Sequence, residues 1–195
     1  MRIAPDMRVT VVTPPNPVIS FAEAAEHLRL GRNQAEKTLV EAFIAAATGH
    51  IDGPEGWLRR SLGPQTLEAR FTDFVGGSLV RLPFGPVITL VAVEFLDAND
   101  DPVQANIDDF ELMGNDLAAV GSSFAWEGCS TRREAIRVQY VAGYEYGIPA
   151  PIRAAILLMV GDLYRNRDTT AVVQMSAVPM STTVEGLLQP YRVFG

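Results

Sequence analysis

The sequence contains few of the residues that usually carry out covalent or metal chemistry. Among its 195 residues there is one cysteine, Cys129, and there are two histidines, His27 and His50. A single cysteine excludes an internal disulfide and a zinc site built from several thiolates. The histidines belong to different predicted helices, whereas two histidines that bind a metal from one helix lie about four residues apart. The sequence therefore predicts neither a metal nor a cofactor.

Recognisable catalytic patterns are also missing. The chain has no phosphate-binding loop, no dinucleotide-binding glycine pattern and no Gly-x-Ser-x-Gly nucleophile turn. Cys129 follows Glu127, whose charge disfavours a thiolate. Residues 97–101 resemble the start of a calcium loop, but Pro102 replaces the glycine needed at position six and Asp108 replaces the glutamate at position twelve. We therefore expect a hairpin turn at 97–101 and a protein that is not an enzyme.

No stretch approaches the roughly 18 consecutive apolar residues that a membrane-spanning helix needs. The first residues also lack the apolar core of a signal peptide. We therefore expect synthesis in the cytoplasm and no membrane partner.

Positive charge is scarce in the middle of the chain. Residues 65–147 hold thirteen acidic residues and five arginines, whereas the whole chain has a net charge of −7. Such acidity disfavours binding to DNA phosphates, although a negative wall could let DNA pass without sticking. Acidity for solubility alone explains the same composition.

Arginine outnumbers lysine 15 to 1. Arginine forms the planar paired hydrogen bonds that suit protein interfaces, but a GC-rich genome would raise the arginine content equally well.

Helical patterns occupy both ends of the chain. Ser20 and Glu23 form a capping box that opens a helix to about Gly31, and a longer helix is predicted over 33–48. Leu39, Phe43, Ala46 and His50 form its apolar stripe, with Val40, Ala47 and Ile51 beside them. Further turns are predicted at 57–60, an almost wholly apolar helix over 149–167, a loop over 168–181, and a short helix capped by Thr182.

The middle of the chain alternates as β-strands do. Strands are predicted at 66–71, 79–82, 87–96, 110–113, 123–126 and 135–140. The first 19 residues, with prolines at 14, 15 and 17, are predicted to form an extended arm.

Helix, strand and helix in this order predict an α+β fold. Its helical core has about four to five helices. An antiparallel β-rich insertion lies between the second, longer helix at 33–48 and the helix over 149–167, which begins Pro149-Ala150-Pro151. We expect one compact unit with three segments: an arm and helices over 1–64, the insertion over 65–147, and the long helix, loop and C-terminal segment over 148–195.

Several segments in a fixed order resemble the head–tail connector (adaptor) family of tailed phages, prophages and gene transfer agents. They are 21–30 (FAEAAEHLRL), 44–48 (IAAAT), 81–88 (RLPFGPVI), 91–97 (VAVEFLD), 138–144 (VQYVAGY), 148–158 (IPAPIRAAILL), 162–167 (DLYRNR) and 184–192 (VEGLLQPYR). The resemblance spans nearly the whole chain, and its motifs are structural. The proline-rich arm and the interruption at 52–56 depart from it.

The resemblance implies a structural adaptor. Such a protein forms a ring, commonly of twelve copies, below the portal protein; the ring extends the DNA channel and seats the next neck protein, a stopper or tail terminator. It implies a location in the neck of a virion or phage-like particle, with DNA passing through without sequence-specific binding. A stopper or tail-completion protein, and a small-ligand binding module or enzyme on the β insertion, remain alternatives.

The C-terminal segment is the predicted portal-docking site. It combines a capped helix with terminal aromatics after a loop, and aromatic anchors carry much of the energy of interfaces. The candidate partner-binding residues are Leu187, Leu188, Tyr191, Val193 and Phe194. We expect truncation after Asp168 to leave the chain folded. We also expect part of the long apolar helix to lie near a subunit boundary.

Overall fold

In the computed structural model, residues 7–31, 35–72, 79–120, 129–166 and 180–194 are described. They form two compact units. The first combines residues 1–16 with 63–145, and the second combines residues 17–62 with 146–195. The first unit is rich in strands and is called the β unit below; the second is called the helical unit.

Among its described residues, the β unit contains two antiparallel sheets. The strands are β1 (Arg8–Thr13), β2 (Gln65–Phe71), β3 (Leu79–Arg81), β4 (Val87–Leu96), β5 (Pro102–Gln104), β6 (Phe110–Met113), β7 (Asp116–Ala119) and β8 (Ile136–Ala142). The main sheet has the order β1-β2-β8-β4-β5, and the smaller sheet has the order β3-β7-β6. A short 3₁₀ helix, Ile107–Asp109, precedes β6.

Alternate residues of β2 and β8, two adjacent inner strands of the main sheet, form a large part of the core of the β unit. The buried members on these strands are Leu67, Ala69, Phe71, Ile136, Val138, Tyr140 and Ala142. The Tyr140 hydroxyl donates a hydrogen bond to the Pro83 carbonyl over 2.9 Å, and burial raises the pKa of the phenol. This pairing satisfies a polar group that would otherwise be costly to bury.

The opposite face of the main sheet carries a row of four charged residues and one glutamine. In register across the five strands lie Arg8, Arg70, Arg137, Glu94 and Gln104. Three neighbouring strands thus each contribute an arginine, and like charges directly opposite one another are unfavourable. The row therefore needs anionic neighbours.

Carboxylates supply part of this compensation. Glu68 accepts hydrogen bonds from Arg70 over 2.6 Å and from Gln139 over 2.9 Å. Arg137 pairs with Glu94 at 3.0 Å, and Arg8 pairs with Glu134 at 2.8 Å. Burial opposes the ionisation of Glu68, but these hydrogen bonds and the charges of Arg70 and Arg137 hold its pKa below the usual value.

The helical unit contains four α-helices in the described ranges: α1 (Phe21–His27), α2 (Lys37–Ile51), α3 (Ala150–Arg165) and α4 (Thr182–Leu188). Helix α3 packs against the other three. It buries Ile152, Ala155, Ile156, Met159, Val160 and Gly161. No helix in the described part of the chain is long and apolar enough to span a membrane.

The α+β fold class predicted from the sequence is confirmed, as are the strand at 87–96 and the helix that begins after Pro149. Ser20 caps α1 as predicted, accepting from the Glu23 amide over 3.2 Å. The arm contains β1, a strand that was not predicted. The strand expected at 123–126 and most of the loop at 168–181 fall outside the described residues.

Other helix predictions were wrong in detail. The first helix ends at His27, and the second begins at Lys37 and continues to Ile51. The buried stripe of α2 is Val40, Ile44, Ala47 and Ile51, one position from the predicted stripe. Both stripes of α2 are apolar, so the sequence alone does not decide which of them is buried. Packing against α3 decides it, and Leu39 is exposed. The cap of α4 is Ser181, not Thr182.

The segment after α2 is a tight loop, where helical turns had been predicted at 57–60. Its backbone folds back on the helix end: the Trp57 amide donates to the His50 carbonyl over 2.9 Å, and the Leu62 amide donates to Asp52 Oδ1 over 2.7 Å. A Cβ at Gly56 would lie 2.3 Å from the Asp52 carbonyl oxygen. This close approach requires glycine.

Gly56→Ala is therefore expected to destabilise the protein by about 1–3 kcal/mol, because the backbone must shift to admit the methyl group. Gly49→Ala is the matched control, since the same methyl group on α2 meets nothing within 4 Å. The control should be neutral or stabilising by up to about 1 kcal/mol. Denaturant unfolding of both variants measures the difference, and equal stabilities would contradict the loop geometry.

Glu68→Gln tests the charged face of the main sheet. Because the folded-state pKa of Glu68 is lowered, its carboxylate stabilises the fold above its unfolded-state pKa, and this contribution is lost as the pH falls through the folded-state pKa. We expect a loss of about 1–3 kcal/mol at neutral pH. The deficit relative to the wild type should shrink as the protein is acidified. Unfolding of both proteins across an acid pH series tests this, and a constant deficit would contradict it.

Candidate partner-binding site

The candidate site begins with α4, a short helix whose start is fixed by a side-chain cap. Ser181 Oγ accepts a hydrogen bond from the Val184 amide over 3.3 Å. Pro190 lies in the following 3₁₀ turn, Gln189–Tyr191. A proline cannot donate the backbone hydrogen bond that would continue the α-helix. The chain therefore leaves the helix as a short extended tail.

Two side chains anchor α4 to the helical unit. Val184 and Leu188 are completely buried, and α4 packs on α3. Leu188 therefore anchors the segment in this conformation and does not present a surface to a partner. The expectation that truncation after Asp168 leaves the chain folded stays a prediction, and the structure shows what it requires: the shortened chain would have to tolerate exposure of the face of α3 that α4 covers.

Backbone hydrogen bonds fix the tail beyond the helix. The Val193 amide donates to the Leu58 carbonyl over 3.0 Å. Arg60 Nε donates to the Tyr191 carbonyl, also over 3.0 Å. The tight loop after α2 therefore serves as the support for the C-terminus.

A stack of aromatic and guanidinium groups completes this support. The Arg192 guanidinium lies 4.3 Å from the Trp57 ring centre and 5.1 Å from that of Phe194. Cations over aromatic faces are attracted by the electrons of the ring. The stack orients Phe194 while leaving 70% of it exposed.

The remaining predicted residues differ in accessibility. Leu187 and Tyr191 are half-buried, whereas Val193 and Phe194 are exposed. The exposed pair and the accessible parts of the half-buried pair form an apolar surface, called the tail surface below. An ordered apolar surface of this kind suits protein binding, because little side-chain freedom is lost on association.

Sequence reasoning missed the residues that hold the tail surface: Trp57, Arg60 and Arg192. A tryptophan just after the predicted second helix and an arginine between two terminal aromatics were visible signals. The pairing of Arg192 with Trp57 was not visible, because more than a hundred residues separate the two along the chain.

The histidines and cysteine show no catalytic arrangement. The His27 ring lies beside Gly161 of α3, and His50 is half-buried near the end of α2. Cys129 is half-buried, and burial raises the pKa of its thiol, which disfavours the reactive thiolate. Within the described ranges, no group of three or more His, Cys, Asp or Glu residues could hold a metal ion.

The acidic stretch at 97–101 forms the turn between β4 and β5. Asp97 Oδ1 accepts from the Asp101 amide over 2.9 Å and from the Asn99 amide over 2.8 Å. These backbone hydrogen bonds, that from Asp101 first, hold the pKa of Asp97 below its usual value. Its carboxylate is thus used in the turn.

The β unit also contains a cavity lined by arginines from β2, β8 and the loop before β8. Local sequence patterns do not indicate this cavity, because the contributing strands are distant along the chain.

Comparison with known proteins identifies related folds. No protein-family model matches the sequence, and no curated protein matches it. A chain in the neck of an empty gene transfer agent (GTA) particle, computed with C6 symmetry, is similar with a TM-score of 0.72 and 20% identity. A chain in the virion of a native GTA particle is similar with a TM-score of 0.71 and 21% identity.

A chain in the neck of a native GTA particle, computed with C12 symmetry, has a TM-score of 0.60 and 20% identity. Each of the three matches covers 96% of this chain and 96% of the other. At this identity the likeness establishes the fold, which agrees with the fold implied by the sequence resemblance. Over almost its whole length, this chain has the fold of the chains in these GTA neck and virion structures.

Proposed function

We propose that this protein is a structural head–tail adaptor that forms a ring below the portal of a phage or phage-like particle. The observation that carries the proposal is the shared fold over 96% of the chain with proteins of GTA necks. In this role the protein is made in the bacterial cytoplasm and becomes part of the particle neck. It extends the DNA channel and seats the next neck or tail protein.

The symmetry of the structures that contain the similar chains supports a ring. The similar chains belong to neck structures with C6 and C12 symmetry. A head-to-tail contact that closes on itself produces such a ring, and we propose twelve copies. Side chains that remain partly accessible on the helical unit supply apolar surface for this contact. They are Leu157, Leu158 and Leu163 of α3 and Leu39 and Phe43 of α2.

Portal binding is assigned to the tail surface. Its apolar side chains are held in place by Leu188, by the backbone hydrogen bonds to the tight loop and by the Arg192 stack. Phe194 is its most exposed member. An aromatic ring that is rigidly presented in this way suits insertion into a pocket of a partner.

The charge of the β unit suits a protein near DNA that must not retain it. Residues 65–147 carry thirteen acidic residues against five arginines. We propose that part of this surface lines or rims the channel, where it repels DNA phosphates. A neck map with these residues wholly outside the lumen would contradict this assignment.

The proposed role involves no catalysis. Two alternatives are a stopper or tail-completion protein of the same neck, and a small-ligand binding module or enzyme on the β unit. The shared neck fold favours the first of these over the second. Stabilisation of the protein by a metabolite would instead favour the second.

Phe194→Ser tests the tail surface. Because the ring is 70% exposed, its removal should leave stability within about 0.5 kcal/mol of the wild type. Attachment to portal-bearing heads should weaken by about tenfold or more, as expected for an aromatic anchor. Cosedimentation of the variant with heads that lack this protein measures attachment.

Tyr146→Ser is the matched control, since Tyr146 is a 94% exposed aromatic residue of the same helical unit. It should attach normally. Normal attachment of the Phe194 variant, or an equal loss in both variants, would contradict portal docking through the tail surface.

The order of assembly separates an adaptor from a stopper. We expect the purified chain to bind portal-bearing heads without any other neck protein, and electron microscopy of these heads to show a ring of twelve copies. Binding only after another neck component has been added would favour a stopper or tail-completion protein. A neck map in which the chain forms no ring would overturn the proposal.

A further inference from the structure

The arginines of the acidic part of the chain are gathered at one place. A cavity of about 570 Å³ in the β unit is lined partly by guanidinium groups. They belong to Arg70, Arg132, Arg133 and Arg137. These are four of the five arginines in residues 65–147, a segment with thirteen acidic residues. A distribution serving only solubility would spread the two signs over the surface.

The sheet register explains how the cavity forms. Arg70 and Arg137 lie directly opposite each other on β2 and β8, so their side chains emerge on the same face. Arg132 and Arg133 come from the turn that leads into β8. Leu96 and Pro102 contribute apolar surface to the wall. The cavity thus joins a half-buried pair of cations on adjacent strands to two exposed ones from a turn.

The carboxylates of the cavity are already engaged. Glu94 pairs with Arg137 at 3.0 Å, and Glu134 pairs at 2.8 Å with Arg8, which lies outside the lining. Asp100 accepts a hydrogen bond from Ser130 over 2.7 Å. Each carboxylate therefore has a local partner, and the arginines are not all needed to neutralise them.

Donor capacity remains at the arginines. Arg133 is exposed and forms no ion pair or hydrogen bond with any residue in the described part of the chain. Arg132 approaches Asp100 only to 3.9 Å, with both side chains about half exposed or more, which is a weak pair. A guanidinium offers five N–H donors, so this cavity is under-supplied with acceptors.

We propose that this cavity binds an acidic segment of a partner protein, which presents two or more carboxylates to Arg133, Arg132 and the Arg70–Arg137 pair. Guanidinium groups bind carboxylates through paired, charge-assisted hydrogen bonds. Leu96 and Pro102 would contact the methylene groups of the bound aspartates or glutamates. This surface lies in the β unit, whereas the tail surface belongs to the helical unit. It is therefore a second interaction site, independent of portal docking.

The charges around the cavity favour a protein partner over nucleic acid. Glu94, Asp100 and Glu134 line it together with the arginines. A continuous phosphate backbone would meet these carboxylates and the acidic remainder of the unit, and both would repel it. Separate carboxylates on a flexible peptide can instead reach the arginines one at a time.

The test uses the full chain and a fluorescent peptide of about eight alternating Glu and Asp residues, with a Gln/Asn peptide of equal length as the neutral probe. We expect the acidic peptide to bind at low salt, the neutral peptide not to bind, and added salt to weaken the complex. Arg133→Gln should weaken binding by about fivefold or more, because it removes an unpaired donor. Fluorescence anisotropy measures each affinity.

Arg81→Gln is the matched control, since it removes the same charge from an exposed position on β3 outside the cavity. It should bind the acidic peptide as the wild type does. An equal loss in both variants, or no binding of the acidic peptide to the wild type, would overturn the proposal.

Competition separates the chemical classes of ligand. Inorganic phosphate and a short DNA duplex should displace the acidic peptide poorly. If either binds at the cavity as tightly as the peptide does, and this binding requires Arg133, then the site is an anion or nucleic-acid site and the proposed partner is wrong. Because peptide binding needs neither portal nor ring, its failure would leave the adaptor proposal to be judged by assembly.

Discussion

The alternation of side chains along β2 and β8 determines what each face of the main sheet does. Residues that point to one side, such as Phe71 and Tyr140, are buried and hold the β unit together. Residues that point to the other side, such as Arg70 and Arg137, meet in a charged row. A shift of either strand by one residue would place arginines in the core and aromatics on the surface. Core packing thus fixes where the arginines gather.

The two units provide different kinds of surface. The β unit has an acidic exterior with a concentrated set of arginines, so its contacts depend on charge and weaken with salt. The helical unit offers exposed aromatic and aliphatic side chains, such as Phe194 and Leu39, whose contacts depend on apolar burial. Surfaces of such distinct chemistry suit partners of different kinds.

Most of the regular structure could be predicted from the sequence, because strong local patterns agree with the final packing. The strand at 87–96 and the helix after Pro149 have periodicities that admit one interpretation. Helix α2 has apolar residues on two adjacent stripes, so its buried face depends on its neighbour. The strand β1 is short and followed by prolines, and nothing local shows that it pairs with β2. Likewise the arginine cavity depends on strand register, which single-sequence patterns do not specify.

The location of the candidate tail surface in the chain could be predicted from the sequence, but its three-dimensional arrangement could not. Terminal aromatics after a capped helix were visible, whereas the burial of Leu188 and the stacking of Arg192 on Trp57 depend on contacts distant in sequence. The sequence thus identified the apolar residues of the segment. It could not show which of them are buried and hold the segment in place and which remain accessible to a partner.

Both units are assembled from two separate stretches of the chain, and the stretches alternate. Strand β1 pairs with β2, and β2 in turn pairs with β8 near residue 140. Helix α2 packs against α3. During synthesis from the N-terminus, neither unit can close until about three quarters of the chain has emerged, and contacts this distant form slowly. A gene product that ends before β8 would lack part of both units and could complete the core of neither.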